Sequence, residues 1–310
     1  MSPEPNTAAL TVTRLKTFNH IRTTAAVAGP KGSVFAVASE DKVVRIMDAA
    51  KLTSTQTLKG HPRTIYGLAF SPDGKYLLTG DESARIWMWD TKTGKKIREF
   101  PRDKGHTRGI QAIAFTKDGK KFASVGQDDV IKVWNTSGGH PIATVKGMGA
   151  NFYDAQFLPT GGLVTATLAE GMRIYEPKNF GIAAKFNVGS GQGCNGMAVN
   201  KTGSTAVSAG RDGKLVMWNV RSREKIVSIN AHGDWVLQVA MAPNGKVAGS
   251  VSTDGNLKLW DLKTYKQIGS IANQAMIDQV IAFTGNGKYL ITSDSMNALQ
   301  VHEVSPTQAR

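Results

Sequence analysis

The sequence predicts an all-β chain built from seven copies of one four-stranded antiparallel unit, and three observations carry that reading. The residues closing each third strand are Met47, Trp89, Trp134, Tyr175, Trp218, Trp260 and His302, spaced 42, 45, 41, 43, 42 and 42 apart. That is the period of about 40–45 residues a four-stranded repeat needs. Each is followed by a polar residue: Asp48, Asp90, Asn135, Glu176, Asn219, Asp261 and Glu303. In step with both runs a set of glycine turns: Lys31-Gly32, Asp73-Gly74, Asp118-Gly119, Gly161-Gly162, Thr202-Gly203, Asn244-Gly245 and Asn286-Gly287. Tight hairpins use glycine because it reaches positive φ without steric cost.

The strands follow in order within each copy. In the third copy, Ile110 to Phe115, Lys121 to Val125 and Val130 to Trp134 are short β-rich runs, and Pro141 to Val145 leads to the next copy. All are bounded by Gly, Asp or Asn, and no long helical period interrupts them. One copy alone would expose both faces of its sheet, so copies must stack side by side.

The clearest copy is AHGDWVLQVAMAPNGKVAGSVSTDGNLKLWDLKTYKQIGSI, residues 231–271. It is similar to a WD40 repeat, and the likeness covers nearly the whole chain. It implies a seven-bladed β-propeller of four-stranded antiparallel blades, a single domain over 10–304. The expected blades are about 21–60, 61–105, 106–147, 148–189, 190–231, 232–273, and 274–304 plus 10–19. Leu15 to His20 has the form of a fourth strand, like Leu58 to His61, but precedes the first blade, and the last copy stops after its third strand. Residues 10–19 are therefore expected to close the ring as the outer strand of blade seven. Residues 1–9 read as a flexible lead-in and 305–310 as a loose tail.

The copies are uneven. His20, His61, His106 and His232 take the histidine position before the first strand; Met148, Ser190 and Gln274 replace it elsewhere. The turn aspartate is present as Asp41, Asp128, Asp212 and Asp254, with Ser83 and Met296 in its place in blades two and seven and Ala169 in blade four.

Composition bounds the function. Hydrophobic residues make up 41% of the 310-residue chain, enough for a core. The single cysteine, Cys194, excludes an intrachain disulfide. No apolar run approaches the roughly 20 residues of a spanning helix, and the N-terminus lacks a signal-peptide pattern. A cytoplasmic protein with no membrane partner, a monomer on its own, is the expectation. The net charge of +14 favours acidic partners, unless the lysines only keep edge strands apart and the surface soluble. The basic residues are densest between Lys92 and Lys121, where Lys95, Lys96, Arg98, Arg102, Lys104, Arg108, Lys117, Lys120 and those two face only Glu99, Asp103 and Asp118. This run in blades two and three is a candidate polyanion patch for nucleic acid or an acidic protein. It lacks the aromatics that stack on bases.

Two sets resemble a nucleophilic triad: His106, Ser124 and Asp128 with Trp134, and His232, Ser250 and Asp254 with Trp260. The same set at the same spacing in two copies argues for structure instead. The WD40 resemblance implies a buried hydrogen-bond network tying the turn to the strands. No His or Cys pair has metal-ligand spacing, and no phosphate-binding glycine motif enters a helix. Cys194 reads as a buried inert thiol. No cofactor is expected, and a propeller hydrolase is the least favoured reading.

The resemblance also implies that the narrower face of the ring grips a peptide, making the protein a non-enzymatic interaction scaffold. Five residues after each histidine slot, the channel mouth should carry Ala25, Tyr66, Gln111, Tyr153, Asn195, Leu237 and Gln279, with Ala25 too small to anchor anything. Residues before the turn aspartate slot add Glu40, Glu82, Gln127, Arg211 and Thr253, and Trp235 should sit nearby. Tyr, Trp and Arg are the types that dominate interface energy.

Overall fold

A computed structural model describes residues 9–147, 149–186, 193–272, 280–294 and 296–307. The lead-in through residue 8, Met148, Ser190, Gln274, Gln279 and the end of the tail lie outside the described residues.

Among these residues the chain is all β, ordered into antiparallel blades. Blade six is typical: Val236–Met241, Val247–Ser252, Leu257–Asp261 and Gln267–Ile271 lie side by side in chain order. Blades two to five repeat this arrangement. The seventh and first blades share one seven-stranded sheet, joined by the long strand Leu10–Ala28. Its first half pairs antiparallel with Ala298–Pro306, from Leu10↔Pro306 to Phe18↔Leu299. Its second half turns inward as the innermost strand of blade one, pairing Thr23↔Ser39 through Ala28↔Phe35.

The outer strand expected at residues 10–19 is therefore present. The strand it pairs with runs to Pro306, two residues past the expected end. Thr307 N–H then donates to Ala9 O at 2.8 Å, so the start of the tail is tied to the sheet.

Among the described residues, seven apolar clusters fill the spaces between blades. One lies between blades one and two around Leu58, Leu77 and Trp89; another, between seven and one, holds Phe18, Phe35, Met47 and Leu299. The innermost strand of blade seven contacts that of blade one, so the ring is closed by packing as well as by strand pairing. Close blade packing uses glycine: a Cβ on Gly80 would fall 2.5 Å from Ile110 Cγ2. The innermost strands surround a channel of about 1110 Å³.

Each outer strand is an edge. In blades two, five and six the residue left unpaired beside the tryptophan is Ile97, Ile226 and Ile268, and Leu15 takes that place in blade seven. Such bulges twist an edge away from further strand addition.

Candidate functional site

The up-and-down strand order sorts every loop to one of two ends. Turns from second to third strand and loops between blades share one end, here the aspartate face. Turns from first to second and third to fourth strand share the other, the opposite face.

Beneath the aspartate face lie the histidine networks. In blade three, Trp134 Nε1–H donates to Ser124 Oγ at 2.9 Å, Ser124 Oγ lies 2.8 Å from His106 Nε2, and His106 Nδ1 lies 2.9 Å from Asp128. In blade six the same chain runs from Trp260 to Ser250 (2.9 Å), His232 (2.7 Å) and Asp254 (2.9 Å). Donor logic orients both chains. Indole can only donate and a carboxylate can only accept, so each hydroxyl donates to Nε2 and each Nδ1–H donates to the aspartate. Burial pushes the Asp128 and Asp254 carboxyls up, but His106 and the Gly233 N–H respectively lead the groups that hold both below the ordinary range. Burial lowers the His232 imidazole, which keeps the ring neutral as this chain requires.

Gly126 makes room for the network, since a Cβ there would meet His106 Nδ1 at 2.5 Å. Ser124 and Ser250 are fully buried, and each hydroxyl already serves both the indole and the imidazole. A nucleophile needs an open approach to its oxygen, and these hydroxyls have none.

Blade two contains a third complete network that the sequence register missed. His61 Nδ1 lies 2.8 Å from Asp81, His61 Nε2 lies 2.6 Å from Thr79 Oγ1, and Trp89 Nε1–H donates to that hydroxyl at 2.9 Å. Asp81 stands on the second strand, two residues before the slot held by Ser83. Ser83 instead donates its hydroxyl to Asp81 at 2.8 Å.

Blade one departs the other way. His20 is exposed, and Asp41 pairs with Arg45 at 2.6 Å. In blade four an ion pair substitutes: Arg173, nearly inaccessible, bonds Glu170 at 2.9 Å and Gly147 O at 2.7 Å. In blade seven, buried His302 holds the tryptophan place, with Nε2 2.8 Å from Thr292 Oγ1. Its imidazole is depressed to about 4 by burial and by Arg14.

The first strands carry bulges near the aspartate face, and these decide what reaches the channel. The bulged residues are Tyr66, Gln111, Tyr153, Asn195 and Leu237, as the spacing from the histidine slot places them. Blade one differs: its bulge falls on Thr24, between Thr23 and Ala25, one residue before the expected Ala25. The reason is that His20 is out of step by one; counting back 42 from Tyr66 finds Thr24 directly. Thr24 donates its hydroxyl to Ile65 O at 2.6 Å, and both Thr24 and Ala25 line the channel.

Tyr66, Gln111, Gln127 and Tyr153 open onto the channel, so blades two to four supply an amphipathic wall. Asn195 and Leu237 do not act as surface groups. Leu237 is 5% exposed in the apolar cluster between blades six and seven. Asn195 is 2% exposed; its amide donates to Val236 O at 3.0 Å and accepts from Arg211 Nε at 3.0 Å. Asn195 thus positions Arg211, whose guanidinium stacks 4.7 Å from the centre of the Trp235 ring. Trp235 itself is 43% exposed. Thr253 lies beside it, its N–H donating to Trp235 O at 3.1 Å. Glu82 is exposed on the turn of blade two, and Glu40 receives a 3.4 Å bond from Asn297 across the ring closure.

Deeper in the channel is Asp154, which the sequence reading passed over. It follows the Tyr153 bulge, and burial pushes its carboxyl up to about 6 despite N–H groups from Ala155 and Met197. Cys194, fully buried, is pushed up to about 12, so its thiol is inert. No three His, Cys, Asp or Glu side chains gather as a metal set among the described residues.

The basic run of blades two and three does not form one patch. Lys92, Lys95, Lys117 and Lys120 stand in loops of the opposite face, with Lys96 and Lys121 starting the strands beside them. Arg102, Lys104 and Arg108 stand in the loop between blades, on the aspartate face. Arg98 bonds the Ser137 carbonyl, and Lys96 Nζ sits 3.8 Å over the Trp87 ring. Strands running in alternating directions separate residues that are close in sequence.

A closed ring of four-stranded blades tied by Trp–hydroxyl–His–Asp chains defines a propeller scaffold. The chain belongs to the WD40 repeat family: the family model for the WD domain, G-beta repeat, matches residues 52–90, 94–135, 185–219 and 223–261, half of its length. Among curated proteins it is similar to nuclear distribution protein PAC1 of Tuber melanosporum, 34% identical over 87 residues, 26% of this chain and 19% of that protein. WD repeat-containing protein 82 of Drosophila melanogaster is 30% identical over 70 residues, 21% of this chain and 22% of that one. The 66 kDa stress protein of Physarum polycephalum is 33% identical over 69 residues, 22% and 11% of the two chains. The chain spans about a fifth or less of the length of these relatives.

Proposed function

We propose that this WD40 protein is a non-enzymatic scaffold that binds a peptide or loop of a partner protein across the aspartate face. The family supports a role in protein interaction generally; the choice of face rests on the Arg211–Trp235 pair. An indole exposed at the rim with a guanidinium already stacked on it loses little side-chain freedom on binding, which is what an anchor residue requires. Tyr66 and Tyr153 offer further aromatic surface on the channel wall, with Gln111 and Gln127 to orient a backbone. Glu40, Glu82 and Thr253 form a polar rim.

The test is affinity capture from a native lysate after nuclease treatment, comparing wild type with a Tyr66→Ala/Trp235→Ala double variant of unchanged thermal midpoint. A protein captured by wild type and lost by at least tenfold with the variant supports this face. Equal capture by both moves the binding surface elsewhere.

A further inference from the structure

The net charge is not spread evenly over the ring. Loops of the opposite face carry fifteen Lys and Arg against three Asp and Glu, while loops of the aspartate face carry eight against eleven among the described residues. Six of the seven inner turns on the opposite face present an exposed lysine, among them Lys31, Lys75, Lys120, Lys201, Lys246 and Lys288. The two acidic residues in those turns, Asp73 and Asp118, are occupied by their own turns: the hydroxyls of Ser71 and Thr116 donate to them at 2.7 and 2.6 Å. Asp48, Asp90 and Asp261, at strand ends of the same rim, likewise accept from turn N–H groups. They reduce the excess without cancelling it.

The turns of this basic ring pack against one another. Neighbouring turns interlock, a Cβ on Gly74 lying 3.3 Å from Pro30 Cγ and one on Gly119 lying 3.3 Å from Pro72 Cδ. At the closure, Asn286 N–H donates to Gly32 O at 2.9 Å. All these turns terminate the same pair of strands in every blade, so their tips share one level.

We infer that the opposite face is an adsorption surface for an anionic lipid leaflet. A linear polyanion meets only the lysines that fall along one line across a ring, whereas a sheet of headgroups meets all of them at once. Among the described residues the one exposed Phe, Tyr or Trp, Trp235, stands on the aspartate face, while Tyr76, Tyr265 and Tyr289 at this end are half-buried, so this surface offers little ring area on which to stack bases. Apolar side chains stand at the same end: Ile97, Ile182 and Ile226 are exposed within three residues of loops that carry Lys or Arg, and Ile142 is exposed in the blade-three loop of that face. Lysines together with nearby apolar groups are what interfacial binding uses. That no helix among the described residues is long and apolar enough to cross a membrane does not bear on this, because adsorption needs none.

The experiment is co-sedimentation of the intact protein with phosphatidylcholine vesicles containing roughly 30 mol% phosphatidylserine, at about 0.1 M salt. Binding to these vesicles, little binding to pure phosphatidylcholine, and release at high salt are expected. Each lysine near such a surface contributes roughly a fivefold factor. The variant Lys75→Glu/Lys120→Glu/Lys246→Glu should therefore partition on the order of 100-fold more weakly. A variant of equal charge change on the aspartate face, Lys59→Glu/Arg63→Glu/Arg108→Glu, should stay within a few-fold of wild type, with unchanged thermal midpoints in both. Equal loss in the two variants, absence of binding to anionic vesicles, or tighter capture by duplex DNA or polyglutamate than by vesicles overturns the inference.

Discussion

Replacing Asp81 with alanine removes a fully buried carboxylate and leaves the His61 Nδ1–H, 2.8 Å away and equally buried, without an acceptor. It also frees the N–H groups of Ser83 and Arg85, which bond Asp81 at 2.9 and 3.0 Å. An unsatisfied buried donor costs about 1–3 kcal/mol, and a hydrogen bond to a charged carboxylate contributes about 1.5–3. The expected loss is about 4 kcal/mol, read as a shift of the urea midpoint at constant slope. Ser83→Ala removes only a hydroxyl that donates to Asp81, and should cost about 0.5–1 kcal/mol. The pair separates the two candidates for the blade-two aspartate slot. A Ser83→Ala loss equal to the Asp81→Ala loss would refute the assignment. Burial raises the Asp81 carboxyl, yet His61, Arg85 and Ser83 together hold it below its ordinary 3.8. Its contribution is therefore complete above that value and lost as pH falls through the depressed one. The difference between wild type and Asp81→Ala should shrink in the same acid range.

Three further outcomes follow from the same geometry. Asp154 has a raised folded value of about 6 against 3.8, so its burial penalty is absent in acid and complete above pH 6. Asp154→Asn should raise stability at pH 7.5 by at most about 3 kcal/mol and leave it unchanged near pH 4, measured by urea titration at both. His302 runs oppositely: a folded value of about 4 against 6.5 means the unfolded chain takes a proton first, and stability falls as pH drops between them. His302→Trp, whose indole can donate to Thr292 as Trp89 does to Thr79, should abolish about 3 kcal/mol of that acid sensitivity. Deleting residues 1–18 removes the outer strand of blade seven and the buried Phe18, and should broaden or split the cooperative transition seen by near-ultraviolet circular dichroism; an unchanged transition would show that closure does not depend on that strand.

The features that depend on near neighbours along the chain could all be read from the residues. Strand alternation, glycine turns and the closing tryptophans are set by neighbours a few residues apart, so the seven blades, their order and the closing strand were legible from spacing. The two complete His–Ser–Asp sets of blades three and six were legible for the same reason. Tertiary structure decided what depends on where side chains converge. Asp81 and Ser83 reach the same point in space from strand and turn, so register alone chose the wrong one. A single-residue offset at His20 moved the blade-one bulge to Thr24, because a bulge takes its position from the pairing on both sides. Asn195 and Leu237 share a sequence position with Tyr66 and Tyr153, yet neighbouring blades cover the first pair and leave the second pair on the channel. The basic run of blades two and three reads as one stretch along the chain. Alternating strands carry it to opposite ends of the ring, where it joins a lysine surface assembled from turns more than two hundred residues apart.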